Sequence, residues 1–263
     1  MNAADFVHLV LLPPDSISDA DLQKASAILG KHAFETKLLF TGKTPRIIAH
    51  YASDELAEPP LLSLKALGLK VIAVRQERVP KSSTCLKAYA AQFEGDAIIF
   101  LDRQGQRVIM TSSETFLIIA GVLETGENIV VTNTGTKLNL PVTLLTGIPV
   151  NRRVTETTSH TSVHKERFLR LYGNTSSECK VEIRQNDFDY SCLGPALTFS
   201  TSANFDLLVA RIRKTLTGAQ FDDSLTTYFR VDLPVNDPWE KVDMVCRWIY
   251  LFKLESLNSG RSG

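Results

Sequence analysis

The stretch from Asp96 to Leu123, DAIIFLDRQGQRVIMTSSETFLIIAGVL, indicates where the core of this chain lies. It opens with an apolar segment, Ala97 to Leu101, that predicts a strand. A tight polar turn follows, and Arg107 to Met110 predicts a second strand. We therefore expect two short strands at the start of this unit.

A buried helix is predicted to follow these strands. Thr111 and Glu114 have the T-x-x-E spacing of a capping box, in which two side chains satisfy free backbone donors at a helix start. The run from Phe116 to Ala120 has no polar break, and a helix that is apolar all round must be buried on most sides. We therefore expect this unit in the middle of the molecule, with the less apolar elements around it.

The composition is that of an ordinary globular protein with no overall charge. Apolar residues make up 44% of the 263-residue chain, charged residues make up 22%, and Lys+Arg equals Asp+Glu at 29 each. A neutral chain has no global attraction for nucleic acid, so a nucleic-acid partner is not expected. No apolar run approaches the roughly 18 residues needed to span a bilayer, so no membrane partner is expected either.

Two further observations favour a soluble protein of the cytoplasm. The N-terminal residues MNAADFVHLVLLPPD lack a basic leader and are a poor match to a signal peptide. The four cysteines, Cys85, Cys179, Cys192 and Cys246, are far apart and form no C-x-x-C pair. Free thiols in a reducing compartment fit this spacing, although four cysteines could also pair.

The first eighty residues predict alternating strands and helices. The predicted order is β-α-β-β-α-β, at Phe6–Leu12, Ser18–Gly30, Lys37–Phe40, Arg46–His50, Asp54–Leu67 and Leu69–Val74. This order resembles the ferredoxin-like plait, in element order only and over residues 5 to 76. That plait hosts unrelated functions, so the resemblance implies a fold and no activity. The alternative is an open α/β sheet, but no glycine-rich phosphate turn follows Leu12.

A larger β-rich part that ends in helices is predicted beyond a linker at Pro80 to Thr84. The expected division is residues 1–80 as a ferredoxin-like α/β unit, 81–257 as a mixed α+β domain and 258–263 as a disordered tail. Whether the linker separates two domains stays open. The elements predicted in the second part are a helix at Cys85–Phe93, β-rich segments between Asn128 and Thr146, a surface loop at Thr155–Ser162, a short helix at His164–Tyr172, a strand at Lys180–Arg184, a strand pairing back at Phe188–Cys192, a helix beginning at Ser202, and a helix at Pro238–Leu254.

The last predicted helix has an apolar face wider than one sheet normally covers. Trp239, Met244, Trp248, Tyr250 and Leu251 widen that face. Exposed aromatic and methionine side chains are typical of interfaces, so these residues predict self-association or a protein partner. The alternative is a terminal helix clamped between two elements of its own fold.

A basic cluster precedes and overlaps the short helix predicted at His164 to Tyr172. Its members are Arg152, Arg153, Lys165, Arg167 and Arg170. Arginine and lysine side chains on one surface could bind a phosphate-bearing ligand or an RNA backbone. The alternative is an ordinary solvated face, because Glu156 and Glu166 lie between them.

Two histidines and four carboxylates are candidates for metal binding or acid–base chemistry. His160 and His164 have the i, i+4 spacing that would place both on one face of a helix. Paired carboxylates could hold a divalent cation or divide acid and base roles, and the closest pairs are Asp187 with Asp189 and Asp222 with Asp223. Aspartates are also common in turns without any such role.

Cys192 is a candidate nucleophile at the end of a predicted strand. A thiol nucleophile needs a base that lowers its pKa or takes its proton. The alternative is a buried core cysteine, which needs neither.

These patterns favour a binding or assembly protein that self-associates or binds a partner or a small ligand. No catalytic constellation is evident in the sequence, and no cofactor is indicated. The alternative is a hydrolase or transferase that acts on a phosphorylated small molecule or nucleotide, using aspartate carboxylates with or without a divalent metal. The fold expected in either case is mixed α+β.

Overall fold

A computed structural model describes the backbone of residues 6–75, 85–138, 151–232 and 237–260. Side chains are described for residues 6–75, 85–126, 163–226 and 237–258. The strands are β1 (Val7–Leu12), β2 (Arg46–Tyr51), β3 (Lys70–Arg75), β4 (Leu86–Ala88), β5 (Ala90–Glu94), β6 (Ala97–Leu101), β7 (Arg107–Thr111), β8 (Thr115–Leu138), β9 (Asn151–Gly173), β10 (Cys179–Arg184) and β11 (Gln220–Asp232). The α-helices are α1 (Asp19–Leu29), α2 (Ala33–Leu39), α3 (Asp54–Ala66), α4 (Thr201–Thr215) and α5 (Pro238–Gly260).

The first sheet has three antiparallel strands in the order β2-β1-β3. One of its faces packs on helices α1 to α3 through side chains that include Leu9, Leu22 and Leu64. The mixed α+β class is therefore confirmed. The ferredoxin-like plait is not, because the segment Lys37–Phe40, predicted as a strand, forms the end of helix α2 and its C-cap. Its segment AFETKLL contains alanine, glutamate, lysine and leucine, which have high helix propensity.

The second sheet has five strands in the order β11-β8-β9-β10-β4, and its longest strands are β8 and β9. The helix predicted to begin at Thr111 is wrong, because Thr115 onward is strand β8. The Thr111 hydroxyl does donate to a Glu114 carboxylate oxygen at 3.1 Å, but within a turn that leads into a strand. A continuous apolar run also suits a strand whose sheet is covered on both faces.

Both faces of this second sheet are covered. Ile118 and Ala120 of β8 point to the face that packs against α4 and a third sheet, β5-β6-β7. Leu117 and Ile119 point to the opposite face, which packs against α5. The predicted strands at Ala97 and Arg107 are confirmed as β6 and β7, whereas the helix predicted at Cys85–Phe93 is wrong because that segment forms β4 and β5.

Helix α5 lies between the first and second sheets. Val10 and Ile72 of the first sheet and Ile119 of the second belong to one buried cluster with its side chains. Trp248 is 4% exposed and Tyr250 is 2% exposed, and Trp239, Met244 and Leu251 are half-buried against the same cluster. The clamped-helix alternative therefore accounts for the wide apolar face, and that face no longer argues for a partner.

Strand β9 replaces two elements predicted from the sequence. The loop predicted at Thr155–Ser162 and the helix predicted at His164–Tyr172 are both wrong, because the backbone is extended throughout. Threonine favours strands because its branched side chain suits a pleated surface. Phe168 and Tyr172 alternate with Leu169 and Leu171 between the two faces of the sheet, which is the period of a strand.

Five further predictions have mixed outcomes. The strand predicted at Lys180–Arg184 is confirmed as β10, and the helices predicted from Ser202 and Pro238 are confirmed as α4 and α5. The strand predicted at Phe188–Cys192 is wrong, since Tyr190–Ala196 forms 3₁₀ turns. The tail predicted from residue 258 is helical as far as Gly260.

The predicted linker at Pro80 to Thr84 lies outside the described residues. Within the described residues, no helix is both long enough and apolar enough to cross a bilayer.

Gly121 allows the close approach of β9 and β11 to β8, and its replacement should be costly. An alanine Cβ there would lie 2.3 Å from the ring of Phe168, which is fully buried, and 3.0 Å from Cβ of Leu225. We expect Gly121→Ala to lower the free energy of unfolding by about 2 to 3 kcal/mol, because overpacking a core forces its neighbours to move. Urea unfolding followed by fluorescence measures this change.

Gly173→Ala is the matched control for that variant. Gly173 ends β9, and its nearest non-local neighbour would lie 3.6 Å from a new Cβ, an ordinary contact. The control should stay within about 0.5 kcal/mol of the original protein. Equal losses in the two variants would contradict the packing described at Gly121.

Candidate ligand groove at the edge of the central sheet

A row of polar and charged side chains crosses the five-stranded sheet on the face that packs against α5. The register places Lys87 of β4 beside Glu182 of β10, Glu182 beside Arg170 of β9, Arg170 beside Ile119 of β8, and Ile119 beside Asp222 of β11. Laterally paired residues share one face of a sheet. The charges therefore alternate in sign along the row. Two of the charged side chains, Arg170 and Asp222, form ion pairs with side chains of α5.

Arg170 is the centre of this row. Its side chain is 2% exposed and bonds to two carboxylates, Glu182 through Nη2 and Asp243 of α5 through Nη1. Burial acts to lower the pKa of Arg170, but the neighbouring carboxylates help to raise that pKa above its usual value. Burial acts to raise the pKa of Glu182, and Arg170 and Arg184 together bring that pKa below its usual value. The result is a buried ion-pair cluster in which each charge depends on the others.

Arg184 links the buried cluster to the surface. Its Nε donates to the second carboxylate oxygen of Glu182 at 2.7 Å, and its guanidinium lies 3.7 Å from the ring centre of Trp239. A guanidinium over an indole face is a favourable cation–π arrangement. Trp239 therefore fixes the position of Arg184 at the sheet edge.

Two groups beneath Arg170 are protonated at neutral pH. Burial raises the pKa of the Cys246 thiol to about 12, and burial also raises the pKa of the Tyr172 hydroxyl. Burial raises the pKa of Asp243 as well, against the pull of Arg170. The interior side of the cluster is therefore a structural network with no activated nucleophile.

A groove of about 710 Å³ opens where the row reaches the edge of the sheet. Its walls come from β4, from the β6–β7 turn and from the end of β10. The charged lining side chains are Lys87, Asp102, Arg103, Arg107, Glu182, Arg184 and Asp187. This volume is in the range of pockets for small ligands, which is about 300 to 1,000 Å³.

The carboxylates of the groove are already engaged. Asp102 accepts the backbone N–H groups of Gln104 and Gln106 at 2.8 Å each, which shapes the β6–β7 turn. Glu182 is held by Arg170 and Arg184. Asp187 lies 3.9 Å from Nη2 of Arg103. Glu182 and Asp187 therefore have cationic partners within the protein, and Asp102 is occupied by backbone donors.

Two cations of the groove lack such compensation. Neither Lys87 nor Arg107 forms an ion pair with any residue whose side chain is described, and both are exposed. Arg103 lies over the exposed ring of Tyr89, with its guanidinium carbon 4.8 Å from the ring centre. The groove therefore presents net positive charge beside an aromatic face.

A disulfide between Cys85 and Cys179 tethers β4 to β10 at one end of the groove. Of the two alternatives that the sequence left open, pairing therefore applies to Cys85 and Cys179, while Cys192 and Cys246 are free thiols. The two partners are 94 residues apart in the sequence, and their Cα atoms are 5.2 Å apart. Such a contact arises only from the parallel pairing of β4 with β10, which spacing along the chain does not reveal.

The predicted basic cluster is dispersed over β9. Arg167 faces α4, where it donates to the Ser202 hydroxyl at 3.1 Å and pairs with Asp206, whereas Arg170 faces α5. Lys165 pairs with Glu124 at 2.5 Å. Arg152 and Arg153 lie at the far end of the strand, roughly 50 Å from Arg167 at about 3.3 Å per residue. These cations therefore form no common site.

The predicted histidine pair does not lie on a helix, which its i, i+4 spacing required for metal binding. His160 and His164 lie on strand β9, where four residues span roughly 13 Å, too far for one metal ion. No group of three or more His, Cys, Asp or Glu side chains suited to a metal occurs among the described side chains.

The predicted carboxylate pairs have separate local partners. Asp189 accepts the backbone N–H of Ser191 at 2.9 Å, and Asp187 faces Arg103 across the groove. Asp222 pairs with Lys253 of α5 at 3.0 Å, and Asp223 is exposed. Of these four aspartates, only Asp187 lines the groove.

Cys192 is a half-buried free thiol. Burial raises its pKa, only partly offset by Arg211, so the thiol is protonated at neutral pH. This environment favours the core-cysteine alternative over a nucleophile.

Apart from Asp187, sequence reasoning missed the charged residues that line the groove, because they lie on separate elements. Lys87, Arg107 and Arg184 are far apart in the chain, and each resembles an ordinary surface cation in its local sequence. The one available signal was the alternation K-V-E-I-R, which places Glu182 and Arg184 on the same face of a strand.

A scan against protein-family models, a search of curated proteins and a search of solved structures each returned no match.

Proposed function

We propose that this protein binds a small anionic molecule, carrying a phosphate or carboxylate group, in the edge groove. The observation that carries the proposal is the pair of uncompensated cations, Lys87 and Arg107, in a groove of about 710 Å³ whose carboxylates are already engaged. Charge-assisted hydrogen bonds to an anion would satisfy both cations. The cytoplasmic location predicted from the sequence stays a prediction, and the Cys85–Cys179 disulfide counts against it because cytoplasmic reductants keep most thiols reduced.

The groove is suited to binding because its walls are held in place. Arg184 is fixed by Glu182 and Trp239, and the β6–β7 turn is fixed by Asp102. The disulfide holds β4, which carries Lys87, against the sheet. A prearranged set of donors loses little conformational freedom when a ligand binds. Tyr89 offers an apolar surface to the remainder of the ligand.

Binding is also better supported than catalysis by the chemistry of the described groups. The interior cluster holds its titratable groups in fixed ion pairs or as neutral acids. The predicted aspartates do not converge in the groove. The hydrolase or transferase alternative therefore has no specific observation in its favour.

Inorganic phosphate is the probe for this proposal, compared with chloride at equal ionic strength. We expect phosphate to raise the thermal midpoint, because a ligand that binds the folded state stabilises it. Lys87→Gln and Arg107→Gln should each weaken phosphate binding at least tenfold in a calorimetric titration, because each removes a charge-assisted hydrogen bond of about 1.5 to 3 kcal/mol.

Lys214→Gln is the matched control. Lys214 is an exposed cation on α4 that does not line the groove. This control should bind phosphate as the original protein does. An absent phosphate effect, or an equal loss of binding in all three variants, would overturn the proposal.

A further inference from the structure

The distal part of the β8–β9 hairpin extends beyond the rest of the described sheet. We call residues Glu127–Leu138 of β8 and Asn151–Ser162 of β9 the outer ribbon, which contains twelve in-register residue pairs. Within the parts of the chain that the structure describes, strand β11 pairs with β8 only as far as Gly126, and β10 pairs with β9 only from Phe168. At about 3.3 Å per residue, the outer ribbon is roughly 40 Å long.

This arrangement leaves two strand edges without a neighbour among the described residues. A two-stranded hairpin alone is marginally stable in water, and three or more strands are normally needed. An open edge presents a row of backbone donors and acceptors that can pair with another strand. The β8 strand of the outer ribbon also has strong strand propensity, since it contains four consecutive β-branched residues, Ile129, Val130, Val131 and Thr132.

We propose that the outer edge of β8 pairs with the same edge of a second copy of this chain, antiparallel and about a two-fold axis at Thr132. The result is a four-stranded sheet in the order β9-β8-β8-β9. A two-fold interface uses one patch twice, so the patch must be complementary to itself.

The charges of this edge meet that requirement. With the axis at Thr132, Glu127 of one copy lies opposite Lys137 of the other. By the same symmetry, Lys137 of the first copy lies opposite Glu127 of the second. These are the only two formal charges between Glu127 and Leu138. Opposite charges that face each other across strands are favourable, whereas like charges are not.

Backbone geometry restricts the possible registers. Successive residues of a strand direct their backbone groups alternately to its two sides, so only alternate residues of β8 face the outer edge. Residues that face each other across an antiparallel self-pair must therefore both be odd or both be even. The register that joins 127 to 137 satisfies this rule, and a shift by one residue violates it. A shift by two residues separates the charges.

The corresponding edge of β9 is less suitable. Full antiparallel overlap of Asn151–Ser162 with itself would put the axis between Glu156 and Thr157, which pairs odd with even residues and is excluded by the same rule. In the two nearest permitted registers Glu156 lies opposite its own copy or opposite Thr158, so no ion pair forms at near-full overlap. The β8 edge is therefore the self-complementary one.

The mass of the full chain in solution tests the proposal, measured by sedimentation equilibrium over a range of concentrations. We expect a species of twice 29.2 kDa. Lys137→Glu should weaken the dimer at least tenfold, because like charges then face each other twice. The exchange Glu127→Lys with Lys137→Glu should restore it, since the opposite charges are regained. A monomer at every concentration, or no recovery in the exchanged variant, would overturn the proposal.

Oxidative crosslinking tests the position of the axis. Thr132→Cys places a thiol opposite itself, within the Cα separation of about 4.5 to 5.5 Å that a disulfide can bridge. Under copper-catalysed air oxidation we expect a covalent dimer. Asn128→Cys is the matched control, because Asn128 lies opposite Thr136 and its two copies are roughly 27 Å apart at 3.4 Å per residue. Equal crosslinking of the two variants, or none in Thr132→Cys, would refute this register.

Discussion

Arg170→Leu is expected to lower the free energy of unfolding by about 3 to 5 kcal/mol, because the buried carboxylate of Glu182 then keeps only Arg184 and loses its fully buried partner. The loss arises mainly because the buried carboxylate charge of Glu182 is no longer fully compensated, and less because one hydrogen bond is missing. Glu182 is 3% exposed, so water cannot replace the guanidinium. Asp243, whose side chain is 30% exposed, can be hydrated more easily. Urea unfolding at pH 7 measures the change.

Arg167→Leu is the matched control for this prediction. It makes the same chemical change on the same strand, but the ion pair of Arg167 with Asp206 is exposed, at 31% and 62% of the side chains. Exposed pairs contribute about 0 to 1 kcal/mol. Comparable losses in the two variants would contradict the buried cluster.

The pH dependence gives an independent readout of the same cluster. The pKa of Glu182 is lowered in the fold, so its stabilising effect is present above the unfolded pKa and is lost as the pH falls through the folded pKa. In Arg170→Leu, burial should raise this pKa against the remaining pull of Arg184, and protonation then relieves the undercompensated charge. The stability difference between the two proteins should therefore be smaller at pH 4.5 than at pH 7.

Replacing both Cys85 and Cys179 by alanine is expected to cost about 3 to 5 kcal/mol of stability. The disulfide joins residues 94 apart, and closing a long loop removes much conformational entropy from the unfolded chain. Strand β4 pairs with β10 over only three residues, so the disulfide is also a main attachment of that strand. Thermal and urea unfolding, each with and without reductant, measure the effect.

Reductant should lower the stability of the original protein to that of the double variant and leave the variant unchanged. Cys192→Ala, which removes a half-buried free thiol, should cost much less. Insensitivity of the original protein to reductant would contradict the role given to the disulfide. Since cytoplasmic reductants keep most thiols reduced, trapping the thiols in cells also tests the predicted cytoplasmic location.

The limits of sequence reasoning are clearest in β8 and β9. The run from Phe116 to Ala120 correctly indicated the centre of the core, but a continuous apolar run suits a buried strand as well as a buried helix. The amphipathic helices were predictable, because α4 and α5 carry apolar residues at helical spacing and begin with recognisable caps. A polar strand such as Thr155–Ser162 has no apolar face to mark its period.

The candidate site was beyond sequence reasoning for a different reason. The groove depends on which strands become neighbours, and the pairing of β4 with β10 joins segments almost a hundred residues apart. Arg170 was noted as a cation among others, yet its importance comes from burial beside Glu182 and Asp243. Such convergence is a property of the folded topology.

The position of α5 between two sheets has a consequence for the order of folding. On the ribosome the chain emerges from its N-terminus, so both sheets are synthesised before residues 238–260. Until that helix arrives, Val10 and Ile72 on one sheet and Leu117 and Ile119 on the other have no apolar cover from it. Nascent chains therefore pass through a stage with two exposed apolar faces, and this is the stage at which chaperone binding or aggregation would compete with folding.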